Sequence, residues 1–444
     1  MTNTNATARP DLELVLTPLY AGVAAGASST VDVLVRLQAP DAPAAKPGAR
    51  PPQAVTLVID RSGSMSGHPL AEALRCAHFV VERMRPVDSI GLVSFDDKVR
   101  RLWPPVPLGD GRAVHAAIDT IRSGGSTNLH GGWQDGAESL ASVSGEGVRR
   151  VILLSDGQAN VGLTDTSTIT AQCAERAARG ITTSTYGLGN GFNEELMIAM
   201  ARAGGGNHYY GDSAEDLMEP FQQELELLGN LCLREVVIRV QPEPGVAVRM
   251  VSELRPVGGG WALPDLAWGS EAWAVMQLTV PEAMAREPKS VIRLASVSIS
   301  GRELEAVTTT VVSGELKLRR LAPEAFAALP ADELVARRIA ELTAAAWLLR
   351  MRAAAAAGDW ATVDRILAEA MREFGANPWL GAMLQTMQGI AASREQARIH
   401  KEALYSSRRL NDRLAAKSES MAPDALASEA TPAFLRRKRA QGKR

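Results

Sequence analysis

Hydrophobic positions along the chain change period three times, and each change marks a new structural region. Leu12 to Gln38 holds two runs, LELVLTPLY and STVDVLVRLQ, the second in clean apolar–polar alternation. Both predict strands, so residues 11–38 read as the first strands of a β-sandwich. Five prolines then fall between Pro40 and Pro52, a linker or long-loop composition. From Ala54 the pattern becomes short continuous apolar runs, AVTLVID, IGLVSF, VILLS and TTSTYGL, separated by helical stripes such as Leu70, Leu74, Ala77, Val81 and Met84. Strands buried on both faces and alternating with amphipathic helices predict an α/β unit over residues 53–228. Its sheet should be mostly parallel and doubly wound, in the Rossmann-like manner. Val99–Trp103 follows Phe95 too closely for a crossover helix, so it should pair antiparallel with its predecessor.

After Gly229 the strand period returns. CLREVVIRVQ, VAVRMVSEL, AWAVMQLTV, SVIRLASVSI and ELEAVTTTVV are separated by Pro and Gly turns, which predicts the rest of the β-sandwich over 230–314. With the first strands this makes about seven, and the α/β unit reads as an insertion into, or a neighbour of, that sandwich. From Glu315 to about residue 415 an α-helical region is expected, with stripes at Val335, Ile339, Leu342, Ala346 and Leu349 and at Val363, Ile366, Leu367, Ala370 and Phe374. The pair about Gly358-Asp359-Trp360 loosely resembles a tetratricopeptide hairpin, but one copy makes no repeat array. A third helix starts at Asn377-Pro378-Trp379 and is expected to run to about Leu410. Residues 416–444 read as a disordered basic tail.

The 444-residue length fits two or three domains, and 46% hydrophobic against 22% charged residues is a globular composition. A formal net charge of −2 gives no sign of nucleic-acid binding. Cys76, Cys173 and Cys232 are too few and too scattered for a disulfide framework, and Cys76 and Cys173 fall at apolar helix positions where a buried thiol is expected. Met1–Asp11 lacks the apolar core of a signal peptide, and no run reaches the roughly 18 apolar residues of a membrane span. A cytoplasmic location with no membrane span is the expectation. The six histidines are scattered without ligand spacing. Of these, His130 fits a surface or capping role better than a place on a metal rim. Asp96-Asp97 reads as a solvated turn, and Trp133 as either core or an apolar rim.

The chemistry concentrates at three strand ends: Asp60-Arg61-Ser62-Gly63-Ser64, Gly124-Gly125-Ser126-Thr127-Asn128, and Ser155-Asp156-Gly157. Ligands of open α/β sheets bind outside the carboxyl ends of the strands. Two carboxylates and three hydroxyls are hard oxygen donors suited to Mg²⁺, without the His or Cys that zinc favours.

These three motifs, in order and on the right elements, resemble the von Willebrand factor A domain of the bacterial type, with an intact metal-ion-dependent adhesion site. Tyr186-Gly187-Leu188-Gly189, Phe192-Asn193-Glu194-Glu195-Leu196 and the stretch Gly204–Leu217 are similar to its closing elements. The resemblance implies metal contact through Ser62, Ser64 and Thr127. It places Asp60 and Asp156 in the first or second shell, often acting through water. Ser126 adjoins Thr127, but the family pattern selects Thr127. The implied ion is Mg²⁺, with Mn²⁺ suited to the same octahedral oxygen geometry. The implied function is non-enzymatic, divalent-metal-dependent protein binding in an adhesion or scaffold role, with an exposed Asp or Glu of a partner joining the ion. The alternative is a non-catalytic subunit or adaptor of an AAA+ ATPase complex of the MoxR or chelatase kind. A third reading makes the chain a scaffold in which the helical region does the binding.

Overall fold

The computed structural model describes residues 12–41, 52–143, 147–156, 158–188, 193–211, 213–285, 291–304, 309–411 and 415–416. The chain divides into two compact units, residues 45–230 and a second built from residues 1–44 together with 231–430. The α/β unit is thus an insertion into the other.

The inserted unit has one six-stranded sheet. Its spatial order is Val99–Pro107, Ser89–Phe95, Ala54–Asp60, Arg149–Ser155, Ile181–Leu188 and Gly205–Gly211. All neighbouring pairs are parallel except the first, where Val99–Pro107 returns antiparallel. The order reverses at Ala54–Asp60, so the chain winds first one way and then the other from this central strand. Every residue of that strand is buried, the result expected for an apolar run covered by helices on both faces. The helices are His68–Arg83, Arg112–Ile118, Leu129–Ala141, Thr166–Ala178, Glu194–Ala203 and Ala214–Gly229. Short polar residues set three of their starts: Asn128, Asp165 and Asn193 each accept a backbone N–H from the first turn.

One charged group crosses this core. Arg150, 2% exposed, pairs with the fully buried Glu224. Its guanidinium also donates to Thr182 Oγ1 at 2.8 Å and Ser184 Oγ at 2.9 Å, and Glu224 accepts from Asn207 at 2.7 Å. Desolvation is tolerated here because nearly every polar atom of the pair has a partner.

The second unit contains two packed sheets. One joins Glu13–Pro18, Ser29–Gln38, Ser270–Val280 and Ala247–Met250. The other joins Pro256–Val257, Gly260–Ala262, Leu231–Pro242, Val291–Glu303, Thr309–Leu321 and Gly22–Ala24. Strands on both sides of the insertion therefore share both sheets, with Ser29–Gln38 antiparallel to Ser270–Val280 and Gly22–Ala24 parallel to the end of Thr309–Leu321. The core between them includes Val33, Val35, Leu37, Ala274, Met276, Val297 and Ile299.

Three details correct the sequence expectations. The amino-terminal stretch supplies three strands rather than two, because Gly22–Ala24 pairs separately. The last long strand passes the expected boundary at Glu315 and ends at Leu321. There Leu316 and Leu318 point into the core while Lys317 and Arg319 face outward, a period of two. The expected third helix is two helices, Pro378–Ala392 and Gln396–Asn411, which follow Glu333–Ala356 and Trp360–Phe374. At the break Arg394 takes φ 54°, and its guanidinium bonds Asp364 at 2.8 and 3.1 Å and lies over the Trp360 ring. Tertiary contacts hold a non-glycine residue in the left-handed region, with no Gly or Pro to signal it.

Within this unit, Leu34, Trp273, Val275, Val335 and Leu342 form an apolar seam between the first sheet and helix Glu333–Ala356. Arg338 is 2% exposed in that seam. It stacks 4.4 Å from the Trp273 ring, bonds Glu341 at 2.8 Å and faces Glu271 at 3.9 Å. Cys76, Cys173 and Cys232 are free and buried. Among the described residues no helix is long and apolar enough to cross a membrane. Nearly all of the basic tail expected over 416–444 lies outside the described residues.

Candidate functional site

Asp60 closes the central strand with its carboxylate fully buried. One oxygen accepts the Ser62 backbone N–H at 2.8 Å and the other accepts the Ser155 hydroxyl at 2.5 Å. Both oxygens are thus held by neighbouring groups, and one of those neighbours comes from the adjacent parallel strand. Ser64 lies in a short turn, Gly63–Met65, anchored by the fully buried Met65. The Ser62 and Ser64 hydroxyl oxygens are 3.2 Å apart.

The second loop is fastened to the first through the main chain. Gly63 N–H donates to Gly125 O and Gly124 N–H to Arg61 O, each at 2.7 Å. This approach requires glycine: a Cβ on Gly124 would stand 1.9 Å from Asp96 Oδ2. Asp96, expected to be a solvated turn residue, is 4% exposed. It forms a 2.6 Å ion pair with Arg61, accepts from Gly125 N–H at 3.1 Å and from Lys98 N–H at 2.9 Å. Burial works against its charge, but the amide hydrogen bonds from Lys98 and Gly125 and the Arg61 guanidinium hold its carboxyl below the usual range.

Thr127, 2% exposed, joins this pair of loops to the third. Its N–H donates to Asn160 Oδ1 at 2.8 Å, and its carbonyl accepts from Asn160 and Val161 N–H, both at 3.1 Å. Asp156, at 6% exposure, accepts from Gln158 N–H at 3.2 Å. Gly157 lies outside the described residues. Arg61, Asp96, Ser155 and Asn160 were not singled out from the sequence as site residues. Arg61 and Ser155 stand inside the motifs without an assigned role, whereas Asp96 and Asn160 carry no signal that spacing reveals.

Burial pushes the Asp60 carboxyl up to about 6; the Ser155 and Ser62 hydrogen bonds oppose that rise, and the nearby Asp156 charge adds to it. Two buried carboxylates within electrostatic reach of each other repel, and a cation between their loops would relieve that repulsion. The donor set fits a hard divalent ion. Octahedral Mg²⁺–oxygen bonds of 2.0–2.1 Å put adjacent ligand oxygens about 2.9 Å apart. The Ser62–Ser64 separation of 3.2 Å is close to that spacing.

Two neighbours take structural rather than rim positions. His130 is buried, with Nε2 2.7 Å from Gln172 Oε1. Trp133 is fully buried and donates its indole N–H to Thr183 Oγ1 at 3.0 Å.

Comparison with known proteins matches residues 54–224 to the von Willebrand factor type A domain family. The uncharacterized protein YfbK of Escherichia coli K12 is 28% identical over 212 residues, covering 47% of this chain and 36% of that protein. This chain therefore spans well under half the length of that relative. A solved structure described as von Willebrand factor type A from Catenulispora acidiphila superposes with a TM-score of 0.67 at 17% identity, covering 97% of this chain and 98% of that one. The ArnB paralog VWA2 from Sulfolobus acidocaldarius gives a TM-score of 0.59 at 17% identity, with coverages of 89% and 98%. At such identities the two structures establish likeness of fold. The doubly wound sheet, the family match and these superpositions together identify residues 54–224 as a von Willebrand factor type A domain, carried between the strands of a β-sandwich that continues into a helical region.

Proposed function

We propose that Ser62, Ser64 and Thr127 bind a divalent cation, Mg²⁺ or Mn²⁺, with Asp60 and Asp156 balancing its charge directly or through water. The bound cation would then take a carboxylate from an Asp or Glu of a protein partner. Domains of this family commonly mediate protein–protein interaction. The observation that carries the reading is the shared fastening of three loops around the Asp60 carboxylate, with two hydroxyls 3.2 Å apart beside it. Asp60 accepts one hydrogen bond on each oxygen, which orients Ser62 and Ser155 and leaves a lone pair on each oxygen for the cation or its water. In this reading the domain binds and does not catalyse.

Calorimetric titration of Mg²⁺ into the full chain, followed by partner capture in Mg²⁺ and in EDTA, tests both halves. Binding of one Mg²⁺ that Asp60→Ala and Thr127→Ala abolish, and a partner retained only with Mg²⁺, are expected. Undiminished Mg²⁺ binding in both variants, or the same partner in EDTA, would overturn the proposal.

A further inference from the structure

We propose a second metal site, on the flank of the inserted domain, in which His78 and His115 bind a borderline transition-metal ion such as Zn²⁺. It is independent of the oxygen site at Ser62, Ser64 and Thr127.

The two residues are distant in sequence and meet between helices His68–Arg83 and Arg112–Ile118. Their Nδ1 atoms are 2.6 Å apart, and the ring planes are within 11° of parallel with centroids 4.9 Å apart, so the rings lie edge to edge with the two nitrogens facing each other. On the far side of the His78 ring, Nε2 lies 3.1 Å from Asp119 Oδ1. An ionised carboxylate only accepts, so His78 carries its proton on Nε2, and a neutral imidazole then has its lone pair on Nδ1. That lone pair faces the second imidazole nitrogen. A histidine whose distal N–H is held by a carboxylate while the other nitrogen is free to donate electrons is the usual arrangement of a metal-ligating histidine.

Without a metal the His115 Nδ1–H donates to the His78 Nδ1 lone pair, so the hydrogen-bonded pair is the empty form of the same site. Metal binding displaces that proton to water, and His115 takes the Nε2–H tautomer by accepting a proton from water there. Zinc–nitrogen bonds of 2.0–2.1 Å in tetrahedral geometry need the nitrogens about 3.3 Å apart. From 2.6 Å the nitrogens must part by under about 1 Å, and the rings must turn about χ1 and χ2 so that both lone pairs converge on the ion. His78 is 28% exposed and Asp119 71% exposed, so water can fill the remaining positions. Glu82 is exposed and one helical turn beyond His78, on the same face of its helix. Two imidazoles favour Zn²⁺, Cu²⁺ or Ni²⁺ over Mg²⁺, which separates this site chemically from the first.

The test uses the full-length Asp60→Ala chain, so that the oxygen site does not compete. Zn²⁺ is titrated against a chromophoric chelator, with circular dichroism to confirm folding. One Zn²⁺ per chain is expected, lost in His78→Gln and in His115→Gln and weakened by about 10–100-fold in Asp119→Asn. No Zn²⁺ uptake, or uptake unchanged in both histidine variants, overturns the proposal. If a histidine variant does not fold, carbethoxylation of the chain with both histidines intact decides. Protection of His78 and His115 by Zn²⁺, read by peptide mass, supports the site, and equal labelling with and without Zn²⁺ overturns it.

Discussion

Arg61 and Asp96 form a 2.6 Å ion pair with side chains 10% and 5% exposed, and through it the Asp60 loop is bound to the loop that carries Thr127. Arg61 belongs to the first loop, while Asp96 holds the second through Gly125 N–H and through its carbonyl to Asn128 N–H. Asp96→Ala would leave a guanidinium buried without its partner. A loss of about 3–5 kcal/mol is expected, which urea unfolding in EDTA would measure. Because the loops lose their registration, Mg²⁺ affinity should fall as well. Stability loss with unchanged Mg²⁺ affinity would show that the pair supports the fold alone.

Asp60 makes the metal-free domain sensitive to pH. Its carboxyl is raised from 3.8 in the unfolded chain to about 6, so it contributes stability that is present below pH 4 and lost as pH rises through 6. The loss is on the order of 3 kcal/mol. Chemical unfolding in EDTA at several pH values, compared with Asp60→Asn, isolates it: the variant should show a flatter profile in this window. Added Mg²⁺ should restore stability above pH 6 and bind more weakly below it, where protons compete for Asp60.

Glu224 provides a contrast, since it shares the inserted domain but not the site. Glu224→Ala leaves Arg150 buried and unpaired, which should cost about 3–5 kcal/mol in denaturant unfolding. In the folded fraction Mg²⁺ affinity should stay within about twofold of the unaltered chain, because Glu224 bonds Arg150, Ser184 and Asn207 and none of the three loops. A large loss of affinity would mean that the site is coupled to the opposite edge of the sheet.

Arg338→Ala removes the cation that faces Trp273, Glu271 and Glu341 in the seam under helix Glu333–Ala356. The buried Glu341 would then lose the cation that bonds it at 2.8 Å, while Glu271 would keep Arg36 at 3.7 Å and the Gln38 amide at 2.9 Å. Faster amide exchange over residues 333–356 is expected, with Mg²⁺ binding by the inserted domain unchanged. Exchange rates equal to those of the unaltered chain would show that the apolar contacts of Leu34, Val275, Val335 and Leu342 hold the helix unaided.

The elements that sequence made legible are those governed by short-range periodicity. AVTLVID could only be a strand buried on both faces, and the Asp-x-Ser-x-Ser that follows it marked the site because strand ends gather ligands in such sheets. The features that escaped depend on partners distant along the chain. Asp96 reads as a solvated acid until Arg61 and the Gly125 amide are seen beside it. The helix break at Arg394 has no local breaker and is set by Asp364 and Trp360. His78 and His115 have no ligand spacing, yet two helices bring their rings into contact. The strand past Glu315 escapes for a different reason: the alternation of Leu316 and Leu318 with Lys317 and Arg319 is too short to stand apart from the helical region that begins the next stretch.

Pairing Ser29–Gln38 with Ser270–Val280 has a consequence for biosynthesis. The side chains of Asp32 and Gln277, hydrogen-bonded at 2.8 Å, are 245 residues apart. An early strand, paired on one side with Glu13–Pro18, must therefore wait with its other edge open to any extended chain while the whole inserted domain is made. Its sequence, STVDVLVRLQ, carries Asp32 and Arg36 among the apolar residues. Charges in such a run act as gatekeepers against misassociation. Replacing them with Val would leave a nascent chain that aggregates before its partner strand has been translated.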